Sequence, residues 1–442
     1  MIEPLARFLT DAGALSVFGI LLFRTLIHDS APRGLLAGSL AAALAGNALW
    51  LLLQSESFAD APGTVLLGTL FGRVLLTQAV LLTLGAATGG RWGAVLAGIC
   101  VAAGAGHGHG VAMGDAADLV VSHAVHLLAA GAWLGGLLPL SAAIAAGNTG
   151  APVRFGRLAI AAVALLTASA LWQGWSLGGG LPGLLGTPYG HLLLLKSAGF
   201  AAMLALAAWH RWRLVPALPR TRRVLAISVL ADTALGLAVL ALAAILGGME
   251  PGMHTQPNWP FPWRPDAGAF ADPDLRAEVL GGLAWCALAL ALLAAGYWRR
   301  WCWLGLPVAL WLGLPHLDLL LMPATQTSFY TAPDPTPASI ALGEALFERH
   351  CALCHGAGGK GDGPEAQRLP TPPADLTAQH LWDHRDGELF GWLATGMKAP
   401  DGQPAMPGFA AVLDTEQRWA LIDAIRARNP FRPDSVRTGH HH

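Results

Sequence analysis

Cys351, Cys354 and His355 stand in the order Cys-Ala-Leu-Cys-His, and few triplets of side chains specify a chemistry so closely. Two thiols three residues apart can each add across a vinyl group of a haem, and an imidazole next in the chain is then held beneath the iron as its proximal ligand. A CxxC pair also serves redox dithiols and half of a zinc site, but neither needs the appended histidine, and no second cysteine pair follows. The spacing therefore predicts one covalent haem c. Cys100, Cys286 and Cys302 lie in apolar stretches and read as small core residues.

An iron held by one histidine has a sixth position to fill. The segment 396–409 carries Met397 and Met406, and a thioether there would raise the haem potential. Met406, between Pro404 and Pro407, sits where the chain is stiffest and is the preferred ligand; the other methionine is then a packing residue. His350, His380 and His384 read as solvated surface histidines.

A second set of ligand-type side chains lies in the apolar part of the chain, where ionisable groups are costly and mark functional sites. His107 and His109 fall near one end of the apolar run 92–112, and His123 and His126 near the same-side end of 117–146, three apart on one helical face. The turn between the runs is short, so the helices are antiparallel neighbours and the imidazoles share a layer. His191 and Lys196 enter 190–210 at that end, Arg73 lies in the same half of 63–88, and His316 with Asp318 in that part of 301–324. His28 and His210 lie at the opposite boundary, among arginines.

Imidazoles ligate copper and, in pairs, the iron of haem b. Arg73 and Lys196 would repel a copper ion but pair well with haem propionates, which favours haem b. The alternative is histidines hydrogen-bonded to neighbouring helices with no ligand. The loop carrying Met249, Met253 and His254 has soft ligands at close spacing and could capture Cu(I); the preferred reading is a Pro/Trp-rich loop packing under the haem c segment. Trp259, Phe261 and Trp263 suit a headgroup interface.

The elements that must position these groups are set by composition. The chain has 442 residues, 54% hydrophobic and 12% charged. Ordinary soluble domains carry about a quarter charged residues. A mean hydropathy of +0.49 places most of the chain in lipid. Apolar runs near 9–29, 34–57, 63–88, 92–112, 117–146, 156–178, 190–210, 223–248, 275–297 and 301–324 predict an all-α, polytopic bundle of about ten transmembrane helices. The arginines divide unevenly between alternate loops: Arg24, Arg33, Arg91, Arg154, Arg157, Arg211, Arg213, Arg220, Arg222, Arg223, Arg299 and Arg300 share one side. That side is cytoplasmic by the positive-inside rule, which puts both termini and the haem c segment outside, N-out and C-out.

Met1-Ile2-Glu3 lacks the basic start of a cleavable signal, so the first run is expected to be a retained span. Residues 1–330 read as the membrane domain, 331–337 as a linker, 338–430 as a small soluble all-helical domain, and 439–442 as a tag remnant. Helical apolar spacing recurs over 338–349 and 416–428, its first and last helices. A net charge of −1 gives no reason to invoke nucleic acid.

Two family resemblances follow. The Cys351–His355 site, the run Gly359-Lys360-Gly361-Asp362-Gly363-Pro364 and the run Met406-Pro407-Gly408-Phe409 resemble the class I mono-haem cytochrome c family across 336–430. Gly106-His107, the run from His126 to Leu137, and Gly186-Thr187-Pro188-Tyr189-Gly190 leading to Lys196 resemble the copper resistance protein D (CopD) family over 90–250. That resemblance implies copper movement or tolerance and a helical core similar to di-haem membrane cytochromes b, with His107, His126, Tyr189 and Lys196 on the matching positions. The fused cytochrome departs from the family pattern and argues against simple copper permeation.

No carboxylate pair, nucleophile triad or phosphate loop is present, so an electron carrier or metal reductase is expected rather than a classical enzyme. The reading is a multi-pass protein of the bacterial inner membrane whose periplasmic haem c exchanges electrons with an outer-leaflet site holding haem b, linked to copper reduction or uptake. The expected partners are membrane lipid and a periplasmic redox or copper-carrier protein. The alternative is a copper transporter without haem b, passing the ion through His and Met ligands.

Overall fold

The computed structural model describes residues 2–27, 33–107, 117–266, 273–296, 305–314, 318, 320–399 and 401–431. His109 and His316, like His28, lie outside the described residues. The chain forms two compact units, Met1–Thr255 and Gln256–His442.

Lipid offers no hydrogen-bond partner to the backbone, so apolar segments of this length close their own N–H and C=O groups as helices. The first unit contains α1 (Ile2–Leu26), α2 (Arg33–Ser57), α3 (Pro62–Gly68), α4 (Leu70–Thr88), α5 (Gly90–Ala103), α6 (Ala117–Ala145), α7 (Ala151–Gly178), α8 (Gly180–Gly186), α9 (Pro188–Trp209) and α10 (Arg222–Leu246). Helix α1 is central and packs on α2, α5, α6 and α10. Its crossing with α6 is closed by glycine: a Cβ on Gly135 would lie 2.1 Å from the Leu15 carbonyl oxygen. Small residues of this kind let membrane helices approach where water supplies no driving force.

A repeat organises this unit. Leu66-Leu67-Gly68-Thr69-Leu70-Phe71-Gly72 and Leu184-Leu185-Gly186-Thr187-Pro188-Tyr189-Gly190 occupy matching places in the chain. Each begins in a seven-residue helix, α3 or α8, and breaks at an extended threonine. The threonine hydroxyl then accepts from the glycine N–H three residues on, at 2.9 Å for Thr69 and 3.0 Å for Thr187, and starts α4 or α9. Both glycines press on the preceding short helix, where a Cβ would lie 2.2 Å from a carbonyl oxygen in each case. The same capped break thus precedes α4 and α9, the third long helix of each set of four.

The second unit contains β1 (Trp263–Pro265), α11 (Pro273–Gly296), α12 (Leu306–Gly313), β2 (Leu321–Pro323), α13 (Pro337–His350), the single turn α14 (Ala352–His355), α15 (Asp386–Thr395), β3 (Met397–Lys398), β4 (Pro404–Met406) and α16 (Thr415–Arg428). Its C-terminal part packs about a helical core of Leu346, Phe347, Leu389, Phe390, Leu393, Trp419, Leu421, Ile422 and Ile425. Helix α13 begins with a capping box between Thr336 and Ser339, and α16 with one between Asp414 and Gln417. The two helices touch through Gly343, where a Cβ would lie 1.8 Å from the Ala420 carbonyl oxygen.

The antiparallel β1–β2 ribbon holds a buried ion pair onto α15. Arg264 Nε lies 2.6 Å from Glu388 Oε1, and both side chains are only 2% exposed. Tyr330 packs against the helical core, and the Thr327 hydroxyl donates to the Gly387 carbonyl at 2.5 Å. The segments before α13 are therefore part of the body of this unit.

Eight helices among the described residues are long and apolar enough to cross a membrane: α1, α2, α4, α6, α7, α9 extended to Leu214, α10 and α11. The sequence predicts about ten. The two that fall short are α5, of 14 residues, and α12, of 8. At 1.5 Å per residue α5 spans about 21 Å, less than a hydrocarbon core. Parts of both predicted runs lie outside the described residues. The all-α class and the multi-pass membrane character stand.

Candidate functional site

In the second unit the CxxCH segment is the junction between α13 and the turn α14. The Cys351 N–H donates to Phe347 O at 2.8 Å, continuing α13, and the chain then reverses at Gly356. The glycine-rich loop folds back over the turn: Gly361 N–H donates to His355 O at 2.8 Å, Gly363 N–H to Cys354 O at 3.1 Å, and Glu365 N–H to Leu353 O at 3.1 Å. Gly361 has φ +78° and its missing Cβ would lie 2.4 Å from Pro373 O, so no other residue fits that turn without strain.

His355 Nδ1 lies 3.0 Å from the Ala374 carbonyl oxygen. A carbonyl only accepts, so Nδ1 carries the proton and Nε2 the lone pair, the tautomer a metal ligand needs. Neither Cys351 nor Cys354 is in a disulfide. Burial pushes the Cys351 thiol up to about 11. Met406 and Cys351 both pack against the helical core, as do Trp392 and Phe409. Met397 sits opposite Met406 across the β3–β4 pair and is 41% exposed. Two thiols, an oriented imidazole and a half-buried thioether at an apolar core are the donor set a covalent haem requires.

His384 differs from the solvated histidine expected. It is 3.5 Å from Glu388 Oε2 and edge-on to Trp392 at 4.8 Å.

In the first unit, residues from α1, α2, α6, α7, α9 and α10 enclose a cavity of about 270 Å³. Its polar lining includes Arg7, Asp11, His107, His123, His126, Gln173, Tyr189, Lys196 and Ser197. Helix α7 sets the tautomers of two imidazoles. Ser169 Oγ donates to Leu165 O at 2.8 Å and accepts from His126 Nδ1 at 3.1 Å. Gln173 Nε2 donates to Ser169 O at 3.1 Å, which leaves its Oε1 to accept from His123 Nδ1 at 3.0 Å. Both rings therefore carry the lone pair on Nε2, and they stack at 6.4 Å with 14° between planes. His107 follows α5 in the turn Gly104–His107; its Nε2 donates to Phe71 O at 3.4 Å while the ring lies against Trp50 and Phe71.

The structure thus brings together His107, His123, His126, Tyr189 and Lys196. It does not bring in Arg73, which is exposed with its Nε donating to Thr69 O at 3.2 Å, or His191, exposed and bonded to Leu185 O at 2.7 Å. Met253 and His254 are exposed in the turn Gly252–His254, and Met249 precedes it half-buried. Asp318 is also exposed. Among the described residues no group of three or more His, Cys, Asp or Glu side chains is disposed to hold a metal ion.

Sequence reasoning missed Arg7, Asp11 and Gln173. Arg7 donates to Glu3 Oε1 at 2.7 Å and to the Gly247 carbonyl, and lies 4.9 Å above the Trp50 ring. The available signal was Arg7 and Asp11 four apart at the start of the first span, one ionisable pair on one helical face.

Residues 151–246 match the family model of copper resistance protein D, CopD, and residues 338–423 that of cytochrome C oxidase, cbb3-type, subunit III. No curated protein matches the chain. The first match runs from α7 to α10 and includes Ser169, Gln173, Tyr189 and Lys196; the three cavity histidines precede it. The chain is therefore a multi-pass membrane protein that joins a CopD domain to a haem c-type cytochrome domain, and so is linked to copper handling and to electron transfer.

Proposed function

We propose that the protein is an electron-transfer device of the bacterial inner membrane, in which a periplasmic haem c exchanges electrons with a haem b held in the cavity of the first unit, in support of copper reduction or uptake. Cys351 and Cys354 hold the haem c covalently, and His355 and Met406 bind its iron. A haem supplies reversible one-electron exchange, and a thioether ligand raises its potential. In the cavity, His107, His123 and His126 are the candidate iron ligands, and Lys196 and Arg7 are placed to neutralise propionates. Tyr189 closes the wall.

The observation that carries this reading is the pairing of oriented imidazoles with two cations on one cavity. A copper ion gains nothing from Lys196 and Arg7. Pyridine haemochrome analysis of the purified full-length protein tests it, with both c and b signals expected. His126→Ala should lose the b signal and keep the c signal. Haem c alone in the wild-type protein would overturn the proposal.

The CopD match over the cavity wall favours one second reading, a copper transporter using the same histidines without haem b. It requires copper content to fall in cells that carry His126→Ala. A periplasmic redox protein or copper carrier is the partner either reading needs.

A further inference from the structure

Asp232 lies near the middle of α10 and is 1% exposed, and neither of its carboxylate oxygens has a partner among the described residues. The stripe of α10 that lines the cavity runs through Gly236, Val239 and Ala243, and Asp232 continues that stripe one turn beyond the floor. Met203 closes the floor beside Gly236. One further turn along α10, Ser228 lies 2.7 Å from Nε2 of His210, itself only 9% exposed. His210 opens the stretch to Leu214 that carries Arg211 and Arg213. Ser228 and His210 thus form a hydrogen-bonded pair between Asp232 and the arginine-rich end of the bundle, one helical turn from the carboxyl.

An isolated carboxylate in a medium of this kind is strongly disfavoured, and the group takes up a proton instead. The spans that pack on α10 carry Glu3, Arg7, Asp11 and Arg24 on α1, Asp118, His123 and His126 on α6, and His191 and Lys196 on α9, with His210 beyond the end of α9. Of these, Arg7, Asp11, His123, His126 and Lys196 line the cavity itself, and Arg7 also donates to the Gly247 carbonyl at the end of α10.

We propose that Asp232 is a proton-exchanging carboxyl beneath the membrane cavity, loaded and unloaded through Ser228 and His210. On unloading, the Asp232 and Ser228 side chains, one helical turn apart and not hydrogen-bonded to each other at rest, rotate together; the O–H bond of the Asp232 carboxyl breaks, the Ser228 hydroxyl takes that proton and hands on its own, and an N–H bond forms on the His210 imidazole. No electron moves in the step. Its use rests on the reading of the cavity given above: a positive charge that arrives there favours the carboxylate below, and its departure restores the acid.

The test is infrared spectroscopy of the full-length, haem-loaded protein in lipid nanodiscs at neutral pH. The wild type should carry the carbonyl stretch of a protonated buried carboxyl that Asp232→Asn lacks and Asp232→Glu restores at a shifted position. Ser228→Ala should keep the band and slow its deuterium exchange severalfold. An unchanged far-UV circular dichroism melt in each variant shows that the membrane helices have folded. The same carboxyl bands in wild type and Asp232→Asn would overturn the proposal, and wild-type exchange in Ser228→Ala would overturn the route. Reduction with dithionite should shift the band. A band missing in Asp232→Asn but indifferent to reduction would keep the proton site and remove the redox reading of the cavity.

Discussion

Glu388 meets Arg264 with almost no water at either side chain. Burial alone would push its carboxyl up, but hydrogen bonds from His384 and Arg264 and the guanidinium charge outweigh burial and hold it at about 2, below the ordinary 4.5. A carboxyl depressed on folding contributes stability that is fully present above its unfolded value and is lost as pH falls toward its folded one. The second unit should therefore lose stability between about pH 4.5 and about 2. Glu388→Gln leaves the buried Arg264 with Asp266 Oδ1, 3.1 Å from its Nη1, as its remaining carboxylate, so the loss should fall toward the lower end of the about 3–5 kcal/mol that breaking a buried pair costs. Thermal melts followed at the haem c Soret band should show the drop, and a shallower acid limb in Glu388→Gln. A wild-type melt independent of pH over this window would refute the assignment. At the iron, Met406→Ala should lower the haem c midpoint potential while Met397→Ala leaves it near the wild-type value; equal shifts in a redox titration would remove the preference.

Between helices the decisive residues are those without side chains. Gly343→Val would drive a branched side chain into the α16 backbone, where even a Cβ lies 1.8 Å from Ala420 O. Overpacking of this kind costs typically ~1–3 kcal/mol, and a backbone obstacle cannot rotate away. The variant should melt at lower denaturant and incorporate less haem c, whereas Thr336→Ala, which removes a cap, should cost only about 1 kcal/mol. A Gly343→Val protein as stable as wild type would mean that α13 and α16 do not cross there. The repeat was legible in the chain as Leu-Leu-Gly-Thr-x-Phe/Tyr-Gly, yet sequence reasoning passed over it. Its meaning depends on geometry, because the threonine caps one helix only when the short helix before it has ended.

For the whole molecule, the uneven arginines predict which ends of the helices face the cytoplasm. A phosphatase reporter active only after export should be active when fused after residue 431 and inactive in the loop 216–221. Activity at 216–221 would reverse the orientation.

Composition and spacing determined the all-α class, the membrane character and the CxxCH site, because these depend on residues close in sequence and on the solvent around them. Helical periodicity also placed His123 and His126 on one face. Tertiary structure alone decided that Arg7 and Asp11 join the cavity while Arg73 and His191 turn away, because span rotation is set by packing between helices far apart in the chain. It also decided that Arg264 belongs with Glu388, 124 residues away, since a charge buried by folding needs a partner that only the fold can deliver.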